Sequence, residues 1–240
     1  MANQQVAANL DGVRRRIASA CAAAGRSPDS VELVAVSKRV PQALVIEACR
    51  AGQWHFGENR VHDALARQLA TAEALAAVGL NPHRLCWHFI GHLQRNKVRQ
   101  IAGGLGLFHG LDSWALAETL SRRCAAAGVV QSVLLQVNIS AEPQKSGFQP
   151  DLVGEAAARI AELSGLKVQG MMGMARRDDT AAAVGQTFAA LRRVCESARR
   201  QTGLDLPDLS MGMSADFELA IAEGATIVRV GSAIFGPRID

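Results

Sequence analysis

The chain of 240 residues predicts a single (β/α)8 barrel, and three observations carry that prediction. Eight short apolar runs rich in Val, Ile, Leu and Met recur along it, each followed by a helix-like segment or by the chain end. Continuous apolar runs mark strands buried on both faces, and strands joined through helices run parallel. Eight such units in this length match the ~250 residues typical of the closed barrel. The rival doubly wound sheet lacks its signature, since no GxGxxG opens the first helix and no GxxxxGK loop occurs. No Pro/Gly/Ser-rich linker or low-complexity tract divides the sequence, so residues 1–240 read as one domain.

The elements follow in order. Val6, Leu10, Val13, Ile17, Cys21 and Ala24 form a helical stripe that ends at Gly25. VELVAVSK (31–38) is the first strand, and Pro41 opens a helix that closes at Gly52. WHFGE (54–58) precedes a helix from Asn59 to Val78, and CWHFIG (86–91) one that runs to about Ala102. LFHGLD (107–112) leads to a helix ending near Ala127, and VLLQVNIS (133–140) to one near 150–164. VQGMMGM (168–174) precedes a helix near 180–202, and LSMGMS (209–214) one from Ala215 to Glu223. TIVRVGS (226–232) is the eighth strand.

Composition narrows the function classes. Apolar residues make up 49% of the chain, enough for a sizeable core, and the net charge of +4 is mild. Aromatics are 4% with no tyrosine, which argues against a stacking platform for nucleic acid. The longest uncharged stretch, Cys124 to Ala141, is broken by Gln131, Ser132, Gln136, Asn138 and Ser140, so no membrane span is expected. MANQQVAANLDGVRRR lacks a signal peptide's apolar core, and a cytoplasmic location is expected. The five widely spaced cysteines, with no CxxC, read as buried free thiols.

A barrel of this kind carries its active site at the C-terminal strand ends. Those ends hold Ser37–Lys38, Glu58–Asn59, His88, Asp112, Asn138–Ser140, Met174, Ser214 and Arg229–Ser232. Lys38 alone among four lysines ends a strongly apolar strand, whereas Lys97, Lys145 and Lys167 lie in turns or before a strand. Desolvated at the barrel mouth, a lysine becomes a nucleophilic amine toward aldehydes, while snorkelling into solvent is its ordinary alternative. Ser214 reads as the N-cap of the following helix. With Gly231 and Ser232 after the last strand, it outlines the phosphate site that loops seven and eight commonly build, the ordinary alternative being a capped helix and a glycine turn. Arg229, inside an apolar strand, needs a partner. That partner is an acid such as Asp216 or Glu58, or a ring nitrogen of a bound heterocycle. His88 pairs with His92 and His55 with His62 only at spacings that give no defined third ligand, so no metal site is expected. The methionines read as barrel packing.

AVSK around Lys38, FGEN (56–59), WHFIGHLQRNK (87–97), VNISAEPQKSGF (137–148) and LSMGMSADFELAIAEGATIVRVGSAIFG (209–236) closely resemble the pyridoxal phosphate homeostasis protein family. That family is similar to the N-terminal barrel of alanine racemase, and the resemblance runs from about Val31 to Arg238. It implies that Lys38 forms a Schiff base with pyridoxal 5′-phosphate. It further implies that Ser214, Gly231 and Ser232 hold the phosphate, that Arg229 faces the pyridine nitrogen and that Asn59 neighbours the cofactor. Arg60 and His92 stand where family members often have Tyr and Pro. An arginine does not protonate the ring nitrogen, which weakens the ring as an electron sink, and racemisation in related barrels needs a tyrosine base that this chain lacks. The implied role is therefore a monomeric carrier or buffer of the cofactor in vitamin B6 and amino-acid homeostasis, with apo enzymes as further partners. The alternatives are a weak racemase or lyase of the same fold, and a barrel enzyme acting on an unrelated sugar phosphate.

Overall fold

In the computed structural model, which describes residues 2–140, 142, 146–176 and 178–237, the first and last strands close the sheet on itself. β1 (Glu32–Val36) pairs in parallel with β8 (Ile227–Val230), with Glu32 opposite Ile227 and Ala35 opposite Val230. Between them β2 (His55–Glu58), β3 (Cys86–Phe89), β4 (Leu107–Leu111), β5 (Gln131–Gln136), β6 (Leu166–Met172) and β7 (Asp208–Ser210) follow in sequence order, all parallel. The predicted closed eight-stranded barrel is what forms.

Strand alternation divides each strand between two cores. Val34, Leu107, Leu134, Met172 and Ile227 cluster inside the barrel, with Met174 against them. Ala35, Phe56, Phe89, Phe108, Val133, Leu135, Met171, Leu209, Val228 and Val230 face the helical layer. Met172 and Met174 thus pack the interior as expected, while Met171 and Met211 lie in the outer core and Met213 is exposed.

The helices present one apolar stripe each. α1 (Ala2–Ala23) buries Val6, Leu10, Val13, Ile17 and Cys21 at i, i+4, i+7 spacing. It packs on α2 (Gln42–Arg50), α8 (Phe217–Ala222) and α9 (Ser232–Phe235), and so covers the seam between β8 and β1. The ring is completed by α3 (Val61–Ala77), α4 (Val98–Ile101), α5 (Trp114–Ala126), α6 (Val153–Ala161) and α7 (Ala181–Thr202). α7 starts on Thr180, whose Oγ1 accepts from Ala183 N–H, and stops at Gly203, whose φ of 71° suits a residue without Cβ.

Two differences from the sequence reading bear on the site. The strands end earlier than the apolar runs do, so Ser37–Lys38, Asn59, Asp112, Asn138 and Ser214 sit in loops above the sheet. The helix expected after Gly91 shrinks to a 3-10 turn at Arg95–Lys97 plus the single turn of α4. Lys145 and Arg238 lie outside the described residues. Among the described residues no helix is long and apolar enough to cross a membrane.

Candidate functional site

The loop after β1 is tied down from below. Ser37 Oγ donates to Glu58 Oε1 at 2.7 Å, and Val40 N–H closes a turn onto Ser37 O at 3.0 Å. Glu58 is buried at the end of β2, and Arg67 Nε of α3 lies 2.9 Å from the same carboxylate oxygen. Burial pushes the Glu58 carboxyl up, against the pull of the Ser37 hydrogen bond and the Arg67 charge. Arg39 takes a left-handed φ of 59°, and the turn it shapes leaves Lys38 half-buried. Lys38 lines a cavity of about 110 Å³ together with Val36, Val40, Leu44, Gly231 and Ser232. The β1–β8 pairing thus brings together residues almost 200 positions apart in sequence.

On the β8 side, Gly231 precedes the short α9. Ser214 Oγ accepts from Gly231 N–H at 3.2 Å and from Ala233 N–H at 3.5 Å. This corrects the expected N-cap role of Ser214. Asp216 occupies the N-cap of α8, its Oδ1 accepting from Met213 N–H at 2.5 Å, which frees the Ser214 hydroxyl to reach across to the next strand's loop. Two backbone donors, one of them Gly231 of the Lys38 cavity, therefore converge on one oxygen position, a donor set suited to a phosphate oxygen.

Arg229 points into the barrel, 5% exposed. Its Nη1 donates to Ser210 Oγ at 2.5 Å and its Nη2 to Gly173 O at 3.3 Å. Burial brings the guanidinium down to about 10, and the charge of Asp216 resists that shift. Of the two acids proposed as partners, Asp216 acts through its field, while Glu58 serves Ser37 and Arg67. Asn59 follows the end of β2, outside the lining of the Lys38 cavity. Gly91 crosses it so closely that a Cβ there would run into the Asn59 carbonyl. Arg60 is an exposed helix N-cap, and His92 Nδ1 sits 2.7 Å from Asp112 Oδ2 at the same mouth.

His88 lies elsewhere. It is buried inside the barrel, with Nδ1 2.9 Å from His109 Nε2 and Nε2 3.1 Å from His55 Nδ1. His109 Nδ1 lies 2.8 Å from Ser210 Oγ, which also receives Arg229. A chain of hydrogen-bonding groups therefore threads the barrel from its N-terminal mouth to Arg229. Burial, with the His88 and Arg229 charges, holds His109 well below the usual imidazole range, so it stays neutral.

At the lower end Glu32, His55 and Cys86 meet. Burial would raise the Cys86 thiol, but hydrogen bonds from His55 and His88 outweigh it and bring it down to about 6. The same contacts, from Cys86 and then Glu32, lift His55 to about 10. Cys21, Cys49, Cys124 and Cys195 are buried free thiols as expected, and Cys86 departs from that pattern. The signal was one histidine in the inward phase of each of three adjacent strands, His55, His88 and His109.

The family described as "Alanine racemase, N-terminal domain" matches residues 8–238. A pyridoxal phosphate homeostasis protein of Pseudomonas aeruginosa is 42% identical over 233 residues, 97% of this chain and 96% of that protein. One from Aquifex aeolicus is 39% identical over 229 residues, 95% and 96% of the two chains. The chain belongs to the pyridoxal phosphate homeostasis protein family. Among solved structures, PipY of Synechococcus elongatus, determined with PLP bound, superposes with a TM-score of 0.82 at 37% identity, covering 97% of this chain and 100% of that one. The family match also takes in most of α1, ahead of the Val31 at which the resemblance was first legible.

Proposed function

We propose that this protein binds pyridoxal 5′-phosphate at the C-terminal mouth of the barrel and carries or buffers it, without efficient turnover of amino acids. The observation that carries the reading is the cavity shared by Lys38, Gly231 and Ser232, in which the amide of the lining Gly231 meets Ser214 Oγ. Relatives at 39–42% identity bear the homeostasis name, and PipY was determined with the cofactor bound.

Lys38 supplies the amine for covalent attachment at the aldehyde carbon. Gly231 N–H, Ala233 N–H and the hydroxyls of Ser214 and Ser232 take the phosphate, with Ser214 turning to donate. Arg229, cationic at neutral pH, faces the ring nitrogen and cannot give it a proton. The bound cofactor supplies an electron sink for carbanions at an amino acid's α-carbon, and Arg229 keeps that sink weak. The chain has no tyrosine to act from the second face. The same reading takes the protein as a cytoplasmic monomer that hands cofactor to apo enzymes.

One observation favours a second reading, a slow racemase or lyase. The His92–Asp112 pair sets an oriented imidazole at the same mouth, whereas His88 is taken up inside the barrel. General-base help is worth ~10²–10⁴-fold, so a productive His92 would be evident in the rate. Loaded protein incubated with a panel of L-amino acids in deuterated water separates the two. The carrier reading predicts no inversion and transfer of cofactor to an apo enzyme mixed with it. Turnover of ~1–10³ per second on any amino acid would overturn it.

A further inference from the structure

The N-terminal mouth of the barrel, opposite the Lys38 cavity, holds a donor set that the proposed function does not use. His55 and Cys86 are register partners at the starts of β2 and β3, and His88 follows two residues on, in the same inward phase. His55 Nδ1, His88 Nε2 and Cys86 Sγ all lie within 4.8 Å of one another. His55 Nδ1 is 3.1 Å from His88 Nε2, and Cys86 Sγ is 3.6 Å from the same nitrogen. Glu32 of β1 adds its carboxylate, with Oε2 3.0 Å from His55 Nδ1 and Oε1 3.4 Å from His88 Nε2.

The His55–His88 and Cys86–His88 separations are close to tetrahedral edges. Zinc bonds of ~2.0–2.1 Å to nitrogen and ~2.3 Å to sulfur, at the tetrahedral angle, place two nitrogens ~3.4 Å apart and nitrogen ~3.6 Å from sulfur. The Glu32 oxygens approach one histidine each, Oε2 at His55 and Oε1 at His88, so the carboxylate flanks the three donors without closing the fourth corner. We propose that His55, Cys86 and His88 are three ligands of a tetrahedral site for a divalent transition-metal ion, Zn²⁺ being the fit, with the fourth corner open to a water beside Glu32. Imidazole and thiolate together select zinc over magnesium or calcium. The Cys86 thiolate offsets one charge of the ion, and the Glu32 carboxylate beside the histidines offsets the other through space.

The surroundings agree with the assignment. Ligating histidines are oriented through their second ring nitrogen. A cation on His88 Nε2 puts the proton on Nδ1, which then donates to His109 Nε2. His109 Nδ1 lies 2.8 Å from Ser210 Oγ, which extends the chain one step further. Gly106 opposite leaves the room that Cys86 Sγ fills, since a Cβ there would run into the sulfur. The ion reaches the site from a cavity of about 310 Å³ lined by Glu32, Cys86, His88, Gly106, Asp208 and Thr226. The sequence pairs histidines along the chain, whereas the strands bring His55, Cys86 and His88 together across the barrel.

The test uses the purified full chain, stripped with a chelator and titrated with Zn²⁺ against a chromophoric competitor. One ion per chain is expected, with at least tenfold weaker binding in Cys86→Ser and in His55→Asn. His62→Asn, at a fully exposed surface position, should bind as the parent does. Co²⁺ should give visible bands of tetrahedral intensity and a near-ultraviolet thiolate charge-transfer band that Cys86→Ser removes. Parent-like zinc affinity in Cys86→Ser, or loss of binding in His62→Asn, would overturn the assignment. Should the ligand variants fail to fold, shielding of Cys86 from alkylation in the parent protein decides. Zn²⁺ should slow that reaction at least tenfold, and an unchanged rate would refute the site.

Discussion

Ser214→Ala removes a single oxygen at the point where Gly231 and Ala233 aim their amides. In the cofactor-free protein these are two hydrogen bonds of 3.2 and 3.5 Å between neutral groups, partly exposed, so the cost to folding should be small, about 0.5–1.5 kcal/mol. With a phosphate in place the hydroxyl turns to donate to an anion, and a charge-assisted bond is worth about 1.5–3 kcal/mol. At about 1.4 kcal/mol per tenfold, that is a loss of roughly 10- to 150-fold in affinity. The assay is equilibrium dialysis of the parent and Ser214→Ala proteins against pyridoxal phosphate and, separately, pyridoxal. The phosphate ester should lose affinity by that factor, and pyridoxal, which bears no anion for Ser214 to meet, should bind both proteins alike. An equal loss for the two ligands would mean that Ser214 shapes the pocket and does not read the phosphate, and the reasoning would be wrong.

Two further outcomes are expected. In metal-free protein Cys86, at about 6, should be alkylated by iodoacetamide at a rate that rises through pH 6 and levels off above it, because only the thiolate reacts. Cys49 and Cys195, pushed up by burial to about 12 and about 11, should resist until the protein unfolds, and peptide mapping distinguishes the three. Gly91→Ala should destabilise the fold by about 1–3 kcal/mol in urea denaturation, because its methyl would meet the Asn59 backbone and neither strand end can easily give way. A neutral result there would mean that the crossing of the β2 and β3 ends is looser than described.

The barrel was legible because its evidence is local. Each strand is a run of apolar residues, and each helix carries a stripe such as Val6, Leu10, Val13, Ile17 and Cys21 that is buried as its spacing predicts. Lys38, Gly231 and Ser232 were legible because strand ends in this fold converge on one mouth, which strand order alone brings together. Strand ends were read too long, since the residues above the sheet at Ser37, Asn138 and Ser214 remain apolar-flanked after the ladder stops. The hydrogen-bond partners of Ser214 were missed because Gly231 and Ala233 are reached across a loop and not along its own helix. The lower cluster was missed for a related reason. That His55 stands opposite Cys86 is a fact of register, and register between parallel strands joined by long helices is not written in either segment alone.

The central claim is that Lys38 holds the cofactor, and reduction with borohydride followed by peptide mapping tests it most directly. Protein loaded with pyridoxal phosphate should carry the reduced adduct on the peptide containing Lys38, and Lys38→Ala should carry none while retaining part of its affinity through the phosphate. An adduct found on Lys97, Lys145 or Lys167 in place of Lys38 would contradict the account.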